Sequence, residues 1–252
     1  DRNSAGFGTG VFRSSDAGAT WSHVGLASSR AIGRIRVHPA SPDVAFVAVS
    51  GDLWTKGGER GLFRTTDGGK SWTKVLSAAA PDDADTGCVD VVLSPADPNV
   101  VTAALYARRR TPWSFTYGAS LTGGRDAGGI FRSTDGGSTW KKLTNGLPAE
   151  TGRIGLAVSA ANPKVVQAVV QSDAGGTSGI DEIESRAGGI FRSEDGGETW
   201  VRTSRLNPRP FYFSQIRLDP VNDQRVYVLG FALSVSDDGG KTFREDLFGK
   251  VH

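Results

Sequence analysis

Five stretches of the chain place a hydroxyl, a carboxylate, a glycine and an aromatic ring at one fixed spacing, Ser/Thr-x-Asp-x-Gly-x-x-Trp/Phe. They are Ser14, Asp16, Gly18 and Trp21; Thr65, Asp67, Gly69 and Trp72; Ser133, Asp135, Gly137 and Trp140; Ser193, Asp195, Gly197 and Trp200; and Ser236, Asp238, Gly240 and Phe243. A hydroxyl beside a carboxylate could serve nucleophilic or acid–base chemistry. It could equally brace a tight turn, because both side chains bond readily to nearby main-chain groups. Five copies at the same place in five repeats cannot converge on one substrate, so the set reads as scaffold. The glycines then supply positive φ at no steric cost, and the aromatic ring opens the next strand and buries itself against the sheet.

Other chemistry is concentrated in the irregular segments. Asp52, Glu59, Asp126, Asp181 and Glu182 are weak candidates for a carboxylate pair, which glycoside hydrolysis needs at roughly 5–9.5 Å. Sequence carries no such distance, and no nucleophile is assigned; the acidic group around Glu184 also reads as a solvated loop. Four of the six tryptophans belong to the repeated boxes, while Trp54 and Trp113 do not. Trp113 ends the run "RRRTPW" with Arg108, Arg109 and Arg110, and a flat ring beside forked donors suits a sugar, a carboxylate or an extended peptide. Arg209 and Tyr212, next to Phe211, form a similar group stiffened by proline on both sides of Arg209. The alternative is a solvated or internally ion-paired arginine run with Trp113 as a lid over the blade edge.

Several classes drop out. The 29 basic and 27 acidic side chains nearly cancel, leaving no field for nucleic acid or an anionic membrane. One cysteine, Cys88, excludes an internal disulfide framework, and three scattered histidines make no metal cluster. Cys88 sits in the strand-like "CVDVVLSP" and reads as a small buried hydrophobe. "DDADTG" resembles the start of a calcium loop, but the twelfth position from Asp83 is Ser94 where a bidentate glutamate is needed. No apolar run approaches the roughly 20 residues that span a bilayer. No metal or cofactor is expected, and the opening Asp1 suggests a mature or excised piece.

The elements that hold these residues follow from a second repeat. "IRVHPASPDVAFVAV", "VDVVLSPADPNVVTAAL", "IGLAVSAANPKVVQAVV" and "IRLDPVNDQRVYVLG" alternate with the boxes, and each reads as strand, Pro/Asp/Asn turn, strand. One period is therefore four antiparallel strands, A to D, with the box at the C–D turn. Such units at a period of 43 to 68 residues predict the blades of an all-β propeller. The boundaries are a half blade over 1–27 and blades over 28–77, 78–145, 146–205 and 206–252, about four and a half blades and 18 strands. Strand parity puts the boxes and A–B turns on one face; the B–C loops and D–A linkers, with every candidate binding residue, lie on the other.

On these residues the chain resembles the Asp-box, or bacterial neuraminidase repeat, family of β-propellers, which includes sialidases, endoglucanase-like glycoside hydrolases and sortilin-type receptors. "RRRTPW" and "NPRPFYFSQIRLDP" are similar to segments of large secreted bacterial members labelled sortilin-like or glycosyl-hydrolase-like. The resemblance implies an extracytoplasmic protein and leaves three functions open: a non-catalytic propeller binding a glycan or peptide, a glycoside hydrolase or part of one, and a structural piece. The Phe/Tyr-Arg-Ile-Pro motif of sialidases is not recognisable. An incomplete ring exposes apolar blade faces, so a self-associated dimer is expected.

Overall fold

The computed structural model describes residues 6–125, 127–172, 187–210, 212–230 and 232–246. The strands are short, β-branched and aromatic, and each A–B connection turns on Pro, Asp or Asn, so every sheet is an antiparallel meander. A two-stranded sheet comes first, β1 (Phe12–Arg13) with β2 (Ser22–His23). Sheet I follows as β3 (Ile32–His38), β4 (Ser41–Val49), β5 (Gly61–Thr65) and β6 (Thr73–Leu76). Sheet II joins β7 (Thr86–Leu93), β8 (Val101–Arg110), β10 (Gly129–Ser133) and β11 (Lys141–Leu143), with β9 (Phe115–Tyr117) on the far part of β8. Sheet III is β12 (Ile154–Val158), β13 (Val166–Val170), β14 (Gly189–Ser193) and β15 (Val201–Ser204). Sheet IV is β16 (Gln215–Leu218), β17 (Val226–Leu229), β18 (Leu233–Ser236) and β19 (Arg244–Asp246).

The core lies between sheets rather than inside one, and this is what makes them propeller blades. Phe46, Ala48 and Leu62 of sheet I pack on Val91, Val101 and Ala103 of sheet II. Ala104 and Ile130 of sheet II pack on Leu156, Ala168 and Phe191 of sheet III, and Val169 and Ile190 of sheet III on Ile216 and Val228 of sheet IV. The B strands are apolar on both faces because each face meets a neighbour. At the inner edge the A strands approach closely: a Cβ on Gly33 would lie 2.2 Å from the carbonyl oxygen of Val89, and one on Gly155 2.1 Å from that of Ser214. Cys88 is buried, and burial pushes its thiol pKa strongly up, away from reactive thiolate.

The strand count differs from expectation by one. Residues 108–117 read as loop, yet β8 runs on through Arg110 and folds back as β9, pairing Arg108 with Tyr117, Arg109 with Thr116 and Arg110 with Phe115. The arginines stand in a strand because their partners supply β-forming aromatic and threonine side chains, a cross-strand effect that a charged run hides in sequence. Among the described residues no helix exceeds the single turn of α1 (Ala119–Thr122).

Candidate functional site

The box turns repeat one hydrogen-bond pattern. In the third, Ser133 Oγ donates to Asp135 Oδ1 at 2.7 Å and accepts from Gly137 N at 2.8 Å. Asp135 also accepts from Thr139 N at 2.9 Å and from Thr139 Oγ1 at 2.6 Å. Thr20, Ser71, Thr199 and Thr242 do the same for Asp16, Asp67, Asp195 and Asp238. This hydroxyl, one residue before the aromatic ring in all five copies, was absent from the sequence pattern although it is plain in the sequence. The five glycines adopt φ of 90° to 99°. Hydrogen bonds, that from the Thr20 hydroxyl foremost, hold Asp16 at a pKa of about 2, and the other four box carboxylates are lowered in the same way. An acceptor-saturated carboxylate ionised at all physiological pH is no general acid.

The last four boxes also bond to the A–B turn of their own sheet: Gly68 N to Asp43 O, Gly136 N to Asn99 O, Gly196 N to Lys164 O and Gly239 N to Gln224 O, at 2.8–2.9 Å. Boxes and A–B turns therefore share one face. The rings do not share one environment. Trp200 is 3% exposed and Trp21 61%; Trp21, Trp140 and Trp200 each donate Nε1 to their own turn glycine, whereas Trp72 donates to Val24 O at 2.6 Å. The expectation that every box ring is buried thus fails for Trp21, over which no described sheet packs.

The opposite face carries the binding candidates. The β8–β9 turn is closed by Thr111 Oγ1 and Ser114 Oγ at 2.8 Å, and Trp113 at its tip is 94% exposed. Below it Arg110 Cζ lies 5.0 Å from the Phe115 ring centroid, and Phe115 stacks at 5.6 Å on Tyr117. Arg110 N donates to Leu53 O at 2.8 Å, which joins the hairpin to the loop bearing Trp54. That loop is organised by Arg60, 1% exposed, which donates to the carbonyls of Ser50, Gly57 and Thr55. Burial pushes Arg60, and likewise Arg108, down to about 10.

The other candidates divide. Arg108 is buried and donates Nη2 to Gly51 O at 3.2 Å, and Arg109 is ion-paired with Asp85, so two of the three arginines build the site rather than face solvent. Half-buried Trp54 donates its N–H to Asp52 Oδ1 at 2.7 Å, and Glu59 Oε2 accepts from Ser28 N at 2.8 Å. Arg209, at φ 42°, holds its guanidinium 5.8 Å from the Tyr212 ring, and Tyr212 O accepts from Arg153 Nη1 at 3.3 Å. Asp126, Asp181 and Glu182, with Glu184 and Phe211, lie outside the described residues. The calcium-like segment instead spends Asp82 on Arg125, at 2.8 and 2.7 Å, and Asp85 on Arg109; no group of three or more His, Cys, Asp or Glu ligands forms among the described residues.

A cluster missed in the sequence lies on the A strands. Asp90 of β7, 2% exposed, accepts from Arg34 Nε of β3 at 2.8 Å, from Val91 N at 2.9 Å and from Leu156 N of β12 at 3.0 Å. Arg34 Nη2 reaches on to Gln215 Oε1 of β16 at 3.1 Å, which Arg217 also contacts at 2.9 Å. All four sheets meet here. The available signal was charge set among apolar strand residues: Arg34 in "GRIRV", Asp90 in "VDVV" and Arg217 in "IRL".

Comparison with known proteins sorts the possibilities. The family model described as Sortilin, neurotensin receptor 3, matches residues 9–147, more than half the chain. The chain belongs to the sortilin (Vps10) family. It is also 27% identical over 223 residues to a probable oligoxyloglucan-reducing end-specific xyloglucanase of Neosartorya fischeri, covering 87% of this chain and 22% of that protein. A xyloglucanase of a Paenibacillus species is 33% identical over 111 residues, covering 43% and 10%. The chain thus spans about a fifth or less of the length of these curated relatives. Among solved structures, the GH74 enzyme of Niastella koreensis superposes with a TM-score of 0.62 at 18% identity over 91% of this chain and 33% of that one, which shows the propeller fold.

Proposed function

We propose that this sortilin-family segment belongs to a polysaccharide-acting propeller and binds a glycan on its loop face. The observation that carries the reading is Trp113: a large ring held almost wholly in water at the tip of the one described hairpin that rises beyond its blade. Exposing it has no packing benefit, and a rigid aromatic plate beside Arg110 matches the apolar face and hydroxyls of a sugar. The xyloglucanase relatives supply the ligand class to try first. Xyloglucan oligosaccharides should retard the protein in affinity electrophoresis, Trp113→Ala should abolish the retardation, and Trp54→Ala should weaken it. Unchanged retardation in Trp113→Ala would place the site elsewhere; binding of an acidic peptide but no glycan would replace the ligand class.

A second reading, participation in hydrolysis, is favoured by the same relatives. Asp52 accepts a main-chain hydrogen bond from Trp54 within its own loop, and Glu59 one from Ser28 in the linker before β3, which makes them braces. Release of reducing ends from xyloglucan that disappears in Asp52→Asn or Glu59→Gln would convert the binder into a hydrolase. The reading also carries an extracytoplasmic location and self-association, with Phe12, Trp21, Ile35 and Val37 exposed together beside sheet I. A second copy covering that face should give a dimer by light scattering that Trp21→Ser with Val37→Ser dissociates.

A further inference from the structure

Four of the five C strands, all but β18, send one arginine from the sheet into the groove against the next, on the rim of the box face. Three of the four find a carboxylate of the chain. Arg13 meets Asp43 at 3.3 Å; Arg132 meets Glu198, which also takes Lys141 at 2.7 Å; Arg192 meets Glu194 at 3.0 Å and Asp223 at 3.5 Å. The acids come from places the repeat makes equivalent, the A–B turn or the box. For Arg64, between sheets I and II, both places are neutral. The residue matching Asp43 is Asn99, since the box glycines Gly68 and Gly136 bond to these two in turn, and the residue matching Glu198 is Ser138.

Arg64 is left with the Phe46 ring 5.9 Å from its Cζ, and its buried Nε has no hydrogen-bond partner. Lys74, paired with Phe63, turns its ammonium over that ring at 5.8 Å on the other face of the sheet. The groove is a cavity of about 390 Å³ lined by Arg64 and by the hydroxyl-bearing Thr66, Thr73 and Ser138, with no carboxylate in its lining. We propose that the Arg64 groove is a binding site for a tetrahedral oxyanion, phosphate or sulfate, carried as a monoester. A fork and hydroxyls from two sheets address several oxygens at once, where a carboxylate would be spanned by the guanidinium alone. The volume falls in the small-molecule range and leaves room for the group that bears the ester. The site is on the opposite face from the proposed glycan surface and does not depend on it.

The repeat supplies the controls. Isothermal titration of the 252-residue chain with glucose 6-phosphate, inorganic phosphate and glucose reads the site, with the monoester expected to bind, inorganic phosphate more weakly, and glucose not at all. Ser138→Glu installs the acid that Glu198 provides next door and should lower monoester affinity at least tenfold without loss of folding; Arg64→Gln should lower it at least as much, and Lys74→Ala, whose ammonium lies over Phe63 on the other face of the sheet, should leave it unchanged. Glu198→Ser should open a second site between sheets II and III. Equal affinity for monoester and glucose, no binding of either anion, or full affinity in Ser138→Glu would overturn the proposal, and phosphate binding as tightly as the ester would overturn its ester part.

Discussion

The two faces of the blades use the same residue types to opposite ends. On the box face Ser, Thr and Asp are saturated: every box carboxylate accepts from hydroxyl and backbone donors, and each turn of the four-stranded sheets is bonded to the A–B turn of its own sheet. On the loop face arginines and aromatics replace them, and the arrangement is graded. Arg60 and Arg108 are buried braces, Arg109 and Arg110 are half-buried, and Trp113 stands in water. Repetition marks what the fold needs, and departure from repetition marks where a partner has room to act.

The sharpest way to break this contrast is at the axis, where both faces depend on one carboxylate. Replacing buried Asp90 with alanine leaves half-buried Arg34 without its counter-charge and removes the acceptor that Val91 N and Leu156 N use. Breaking one side of a buried pair costs about 3–5 kcal/mol, so the urea midpoint should fall steeply. A similar loss is expected for Trp200→Ala, a ring 3% exposed, at about 3–5 kcal/mol. Trp21→Ala, the same box position at 61% exposed, should stay within roughly 0.5 kcal/mol.

A smaller effect separates the boxes themselves. Ser193 Oγ, in a residue 1% exposed, holds Gly197 N, and Ser193→Ala should cost about 1–3 kcal/mol for the buried donor left unmet. In Ser14→Ala the corresponding Gly18 is exposed to water and the loss should be a fraction of that. Acid tests all five together. Their native pKa values lie below the ordinary carboxylate range, so their contribution is fully present above the unfolded pKa of about 4. It is lost as pH falls through that value toward about 2, where Asp16 titrates. Urea midpoints measured from pH 6 to pH 2 should decline below pH 4, and a flat profile would mean that the box hydrogen bonds contribute nothing to stability.

Legibility in the sequence followed periodicity. The four-stranded units, their order and the box turns repeat, and a pattern seen five times tells its own geometry. What occurs once was opaque. The arginines at 108–110 read as solvent-facing loop because charge conceals strand pairing, although Phe115 and Tyr117 carried the β signal. Asp90 read as an ordinary strand residue because the contact that explains it, with Arg34, is 56 positions away. The equivalence of Asn99 and Ser138 to acids in sister blades was written in the alignment of repeats, but its meaning required the groove that Arg64 enters.

The smallest expected change in stability is also the most discriminating for function. Trp113 touches little: its turn is held by Thr111 and Ser114, and the stack of Arg110, Phe115 and Tyr117 beneath it is independent of the indole. Trp113→Ala should therefore leave the urea midpoint within about 0.5 kcal/mol of the parent. If instead the variant loses more than 1 kcal/mol, the ring is a packed lid over the hairpin and its exposure is not free surface. If stability holds and xyloglucan binding vanishes, the ring acts through a ligand. Stability and retardation read on the same preparation thus divide a structural tryptophan from a recognising one.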